Sequence, residues 1–270
     1  MRIHSQEQIA FSANRAKRNA NQIEKSIQKL ASGLKIAKGS DNAAGLAISE
    51  TMRAQVRGLS QAQRNMQDGL SVLEASNEGL NNVNGLLQRA RELAVLSANG
   101  TLTEQDRLAS EKELTQLMGA IDDTAERLEF NTMKILGDNA PLILQVGANP
   151  TQQIKVDLVD VGTAALGIQD ASLLTQSDAE ELISRMDNAI QIVSGHLTRI
   201  GSDMEAIEHH LQNAMLFETN LTKSLSMLED TDIAKEMMTF INHDIRQKGD
   251  HLLVQHVNRN LNETLGIFNR

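Results

Sequence analysis

Between Leu182 and Leu228 apolar residues return at steps of three and four: Leu182, Met186, Ala189, Val193, Leu197, Ile200, Met204, Ile207, Leu211, Ala214, Leu221, Leu225 and Leu228, with Glu218 the one polar member. A seven-residue recurrence held this long keeps one narrow stripe of a helix against a partner helix, and strands do not satisfy it. The chain supplies partners of the same kind. One stripe runs through Ile9, Ala13, Ala16, Ala20, Ile23, Ile27, Leu30 and Leu34, and another through Leu59, Ala62, Met66, Leu70, Leu73, Asn77, Leu80, Asn84 and Leu87. A shorter helix is predicted from Glu104 to Leu128. A last, weaker stripe holds Met238, Ile241, Ile245 and Leu252, and Lys248 and Gln255 interrupt it.

The breaks between stripes carry helix-end chemistry. Gly39, Ser40 and Asp41 interrupt the first pattern, and Asp41 or Asn42 is placed to cap the next helix. Asn99-Gly100 closes that helix, Thr101 or Thr103 opens the following one, Ser177 or Asp178 caps the long helix, and Glu229 to Asp232 separates it from the last. Around the middle the period changes to two: Leu142, Leu144 and Val146, then Ile154, Val156 and Leu158, with turn residues at Gly147 to Gln153. This predicts a β-hairpin at about residues 141–160. Aromatics are 2% of the chain and there are two prolines, so Ala, Leu, Ile and Met do the packing and long helices run uninterrupted. The fold class expected is mainly α: a long antiparallel helical coiled-coil bundle from both termini, with a small β-hairpin in the middle.

Catalytic chemistry needs convergent polar groups in a pocket. The sequence has no Walker phosphate loop, no G-x-S-x-G elbow and no H-E-x-x-H motif. Glu208-His209-His210 is the nearest approach to a metal cluster, but adjacent helical residues point in different directions. His243, His251 and His256 do not stack on one face. No enzyme activity, cofactor or metal is expected. A net charge of −9 disfavours nucleic acid and anionic membranes, no stretch reaches the length of a membrane span, and there is no cysteine to form a disulfide.

Several blocks resemble a known family. Lys29 to Ile36 (KLASGLKI), Asp41 to Glu50 (DNAAGLAISE), Met52 to Leu59 (MRAQVRGL) and Gln67-Asp68-Gly69 resemble the N-terminal signature of bacterial flagellins. Gln88 to Val95 (QRARELAV), Ser97 to Thr101 and Phe130-Asn131 follow in the family's order, as do Gln145 to Asn149, Arg199-Ile200-Gly201 and Asp230 to Met237.

The resemblance implies a structural subunit that polymerises into the flagellar filament used for motility, in a minimal form, since the middle is too short for the family's variable outer domain. It implies an inner coiled-coil domain of residues 1–42 with 231–270, and a rod domain of residues 43–230 that includes the hairpin. The assembly seam is then expected at Ile9, Ile23, Ile27, Leu30, Leu34, Met238, Ile241, Ile245 and Leu252. Implied partners are other copies of the chain, the flagellar export apparatus and a flagellin chaperone before export, and the hook-associated and cap proteins. A host innate immune receptor of the Toll-like class is implied at Arg89, Leu93 and Glu113. The implied location is the extracellular filament, reached without a cleaved signal peptide. The nearest rival reading is a hook-filament junction protein or a minor flagellin; a receptor signalling rod has no use for a β-hairpin.

Two expectations concern the ends. Ser5-Gln6-Glu7 and Arg246 to His251 put charge where an inner coiled coil packs, and a buried charge without a partner weakens such a coil. The Ala-rich first stripe and the interrupted last one are marginal alone, so residues 1–40 and 231–270 are expected to be poorly ordered in the free monomer and to fold on assembly.

Overall fold

The computed structural model describes the backbone of residues 2–137 and 140–268, and the side chains of these residues apart from 2–6, 8 and 260–268. The elements run α1 (Arg2–Ser32), α2 (Gly39–Ser97), α3 (Glu104–Arg127), β1 (Glu129–Phe130), β2 (Met133–Lys134), β3 (Pro141–Gln145), β4 (Gln153–Asp157), α4 (Gln176–Glu229) and α5 (Ile233–Phe268). They form two compact units: a terminal unit, Met1–Ala54 with Asn220–Arg270, and a central unit, Gln55–Thr219. The terminal unit thus reaches further in along both α2 and α4 than the sequence breaks at residues 42 and 231.

In the central unit α2, α3 and α4 bury the stripes read from the sequence. Met66, Leu73, Leu80 and Leu87 of α2, Leu114 and Ile121 of α3, and Leu182, Met186, Val193 and Ile207 of α4 are all buried. Cross-helix pairs fix the directions. Gln63 donates to Glu218 at 2.6 Å and Arg91 to Asp187 at 2.6 Å, so α2 and α4 are antiparallel. The polar exception in the α4 stripe, Glu218, is therefore satisfied across the seam, as a half-buried carboxylate must be. Arg107 of α3 donates to the Ser97 carbonyl at 2.6 Å, turning α3 back along α2.

Thr103 caps α3 in a reciprocal box with Asp106. Asn42 departs from helical geometry and its side chain accepts from Gly45 N at 3.0 Å, so the regular part of α2 begins there. The cap of α4 is neither Ser177 nor Asp178 but Thr175, whose hydroxyl accepts from Asp178 N at 3.1 Å while its carbonyl takes Ala179 N. The Thr175 hydroxyl meets the third amide of the helix, the usual capping geometry, and that fixes the start earlier than Ser177.

The predicted hairpin is β3 and β4, antiparallel, with Leu142 opposite Val156 and Leu144 opposite Ile154. It lies on α2 where glycines admit it: a Cβ on Gly69 would stand 2.4 Å from Leu144 Cδ1, and one on Gly58 2.8 Å from Ala148 Cβ. A second, shorter hairpin, β1 with β2, turns at Asn131 and Thr132, both at positive φ. Val72, Ile135 and Leu158 pack together beneath this region. The segment from β4 to α4 is pinned inward: Thr163 bonds through its backbone N and its hydroxyl to Asp122 at 2.8 and 2.9 Å, and Leu173 N donates to Glu111 at 2.5 Å. The connection is therefore a packed loop closing directly onto α3.

In the terminal unit α1 and α5 run antiparallel, because Ser26 meets Glu236, Asn19 meets His243 and Arg15 meets Asp250. Both helix breaks meet at one place. Gly33, at φ +71, ends α1, Leu34 pairs with Asp230 in an antiparallel bridge, Lys35 N donates to the Glu229 carbonyl at 2.5 Å, and Thr231 N donates to the Gly33 carbonyl at 2.8 Å. Arg53 clamps the buried Glu229 side chain at 2.5 Å.

Candidate functional site

The α1–α5 pair decides which surfaces remain for other molecules. On α1 the half-buried and buried positions include Ile9, Ser12, Ala16, Asn19, Ile23, Ser26 and Leu30, which alternate by three and four, with Ala20 and Lys29 half-buried beside them. The sequence stripe shared Ile9, Ala16, Ile23 and Leu30 with this seam, and Ala20 at its edge, but also took in Ala13 and Ile27. Ile27 is instead 50% exposed, and Leu34 lies beyond the helix in the bridge to Asp230. The α5 face turned to α1 is Glu236, Phe240, His243, Gln247, Asp250, Val254 and Val257, again at steps of four and three. Met238, Ile241, Ile245 and Leu252 do not belong to it; they are 60%, 47%, 61% and 65% exposed, on the other side of the helix.

The seam inside the terminal unit thus mixes apolar residues with polar ones that pair across it. Ser26 donates to Glu236 at 2.5 Å. Asn19 Nδ2 donates to Asp250 at 3.0 Å, which leaves its Oδ1 to accept from His243 Nδ1 at 3.3 Å. Asp250 is the one member of the charged run Arg246 to His251 that is buried, and it has partners: Arg15 at 3.1 Å and Asn19. The charge read as a liability is a satisfied register contact. Arg246, Lys248 and His251 are exposed. Glu7 is exposed, whereas the side chains of Ser5 and Gln6 lie outside those described.

A further set of apolar side chains faces outward. Phe11 and Ile27 on α1, and Met237, Met238, Ile241, Ile245, Leu252 and Leu253 on α5, are uncovered. In the central unit the consecutive Met215, Leu216 and Phe217 are exposed beside the hairpin turn. Contiguous exposed apolar residues on this scale mark interaction surfaces.

The receptor residues divide. Arg89 and Glu113 meet in an exposed ion pair at 2.8 Å, with Glu92 bonding Arg89 at 3.0 Å, and these carboxylates raise the Arg89 pKa above its ordinary value, the bond to Glu113 first. Leu93 is only 3% exposed: it packs into the core, because it falls on the inner side of α2 with Ala90 and Ala94. His209 sits 3.8 Å from Glu205, one turn away on the same helix. Among the described residues no group of acids and histidines is arranged to hold a metal ion, and no helix is long and apolar enough to cross a membrane.

A family model for the bacterial flagellin N-terminal helical region matches residues 5–140. The chain is similar to the flagellin of Halalkalibacterium halodurans, 38% identical over 89% of this chain and 90% of that one. This chain belongs to the bacterial flagellin family. The Bacillus subtilis flagellin is 33% identical over 96% of the chain, and the crystal structure of Bacillus cereus flagellin matches with a TM-score of 0.52 at 28% identity, over 56% of this chain and 88% of that one. A Vibrio parahaemolyticus structure described as flagellar hook-associated matches with a TM-score of 0.59 at 15% identity, over 70% of this chain and 99% of that one, which is a likeness of fold alone. As a flagellin, the chain is a structural subunit of the flagellar filament, which is extracellular, and the rival junction-protein reading is not favoured.

Proposed function

We propose that this flagellin polymerises chiefly through the outward apolar faces of α1 and α5, so that the terminal unit forms the inner domain of the filament and the central unit its rod. The observation that supports the reading is the second apolar face of α5: Glu236, Phe240, His243, Gln247, Asp250, Val254 and Val257 are turned inward, while Met238, Ile241, Ile245 and Leu252 are left uncovered. Covering an exposed Ile, Leu or Met fully gains about 1.5–3 kcal/mol, so these faces favour packing against a neighbouring copy. The same face of α5 is the segment offered to a flagellin chaperone before export, and hook-associated and cap proteins meet the filament's ends through it.

Ile245→Asp tests the reading in seeded assembly followed by electron microscopy. The variant should keep the helix content of the monomer, because Ile245 touches little within the chain, and should fail to extend seeds. Filaments of wild-type length and rate from Ile245→Asp would sink it. Recognition by an innate immune receptor is a second reading, supported by the exposed Arg89–Glu113 pair. Leu93 enters it only by holding α2 in place. Arg89→Ala is expected to weaken capture of the receptor ectodomain without altering polymerisation.

A further inference from the structure

Charge is divided unequally between the two units. Residues 1–54 and 220–270 hold 15 basic against 11 acidic residues, a net of +4, whereas residues 55–219 hold 11 against 24, a net of −13, which together give the chain's −9. Two pairs within this distribution serve no evident purpose in their own helices. On α1, Lys25 and Lys29 stand one turn apart with no acidic residue three or four positions away. With Lys38 they line a groove of about 400 Å³ floored by Ala31, Leu34 and Ala37. Asp41, on its rim, is already engaged by the backbone amides of Ala37 and Lys38 at 3.3 and 3.1 Å. Among the described residues none of the three lysines forms an ion pair. On α2, Glu74 and Glu78 repeat the arrangement with opposite sign: exposed, one turn apart, and without a basic residue three or four positions away. Like charges at this spacing destabilise a helix, so each pair is a local cost that a complementary pair removes.

We infer that Lys25 and Lys29 of one copy dock against Glu74 and Glu78 of a second copy, making a heterologous electrostatic contact along the filament. The inference rests on the chain's being a polymerising subunit, and it adds a directional polar contact to the apolar faces proposed above. Repeated in one sense from copy to copy, with a rotation that does not close a ring, such a contact generates an open helical chain. The contact also offsets the mutual repulsion of central units at −13 apiece, and it is screened by salt over about 10 Å at 0.1 M ionic strength.

Charge exchange tests this directly. In seeded elongation at low salt, Lys25→Glu with Lys29→Glu is expected to slow growth about tenfold, Glu74→Lys with Glu78→Lys to do the same, and the four changes together to restore most of the wild-type rate. Each double variant keeps a like-charge pair, so monomer helix content by circular dichroism serves as the folding control. A measurement independent of folding is carbodiimide cross-linking of wild-type filaments grown from mixed isotope-labelled and unlabelled chains. The expected result is a mixed-isotope amide joining Lys25 or Lys29 to Glu74 or Glu78. Double variants that elongate like wild type, a quadruple variant no faster than either double, or filaments whose cross-links omit these four residues each overturn the contact while leaving polymerisation intact. Wild-type chain that never extends seeds overturns the polymer reading itself, and the contact with it.

Discussion

The central and terminal units are built from the same kind of helix and solve opposite problems. In the central unit the seam between α2 and α4 is mainly apolar, Glu218 within it meets Gln63, and the hairpin and the 158–173 loop cover more of the unit's apolar surface, though Met215, Leu216 and Phe217 stay exposed. In the terminal unit the seam between α1 and α5 interleaves Ser26, Asn19, Glu236, His243 and Asp250 with Ile23, Leu30, Phe240 and Val254, and a second set of large apolar side chains stands outside. A unit with its hydrophobic stripe inside has gained most of its stability as a monomer. One whose seam is half polar, with a second apolar face left outside, has specified its register but gained only part of its stability, and neighbours must complete it.

The largest effect available for breaking this comparison lies in the central unit. Leu80 is fully buried on α2, so Leu80→Ala is expected to cost the monomer about 2–5 kcal/mol in denaturant unfolding. Ile245→Ala, an equally apolar truncation on α5, should cost the monomer less than about 0.5 kcal/mol while impairing assembly. Comparable losses of monomer stability at the two sites would mean that the terminal unit is finished on its own after all.

How much of this was legible in the sequence follows the same division. The α4 stripe read correctly from Leu182 to Leu228 because the residues that cover it belong to the same chain. On α1 and α5 hydrophobicity pointed to Ile27, Met238, Ile241, Ile245 and Leu252, which are apolar and yet face away from the intramolecular seam. Apolar character says that a side chain is to be covered, not by which molecule. The true seam had a signal, since Ser12, Asn19 and Ser26 recur every seven residues, as do Glu236, His243 and Asp250. Polar residues at a heptad spacing are discarded by any reading that counts only hydrophobes. Leu93 shows the converse: a residue assigned outward by resemblance alone is apolar and buried. The β1–β2 turn went unseen because Thr132 is β-branched and an unusual residue at positive φ.

The polar seam can be sharpened by removing it. Replacing Asn19 and Asp250 together by Leu leaves Arg15, which is about half exposed, free to reach water, and it converts two polar seam positions to apolar ones. Such exchanges are commonly neutral or stabilising by about 1–4 kcal/mol. The double variant is expected to slow amide exchange along α1 and α5 in dilute monomer, where the wild-type α1 and α5 are expected to exchange far faster than α2 and α4. It should also lose fidelity of register, read as heterogeneous filaments. Equal wild-type protection in all four helices would remove the contrast between the units.

The smallest effect concerns how the central unit finishes its own helix ends. The Thr103 hydroxyl accepts from Asp106 N, while Asp106 accepts from the Thr103 hydroxyl and backbone N at 2.7 and 3.1 Å. Those bonds, the hydroxyl's first, hold the Asp106 carboxyl below its ordinary pKa. A carboxylate depressed in the folded state stabilises it fully above the unfolded pKa of about 4 and loses that contribution as pH falls through the lower folded value. Thr103→Ala should cost about 1 kcal/mol near neutral pH. Because the variant lacks the bonds that depress Asp106, its stability should fall less than the wild type's below pH 4, so that the two unfolding curves converge in acid. Parallel curves down to pH 2 would show that the box is not what fixes the start of α3. Its contribution would then belong to the Arg107 bonds that tie α3 to the end of α2.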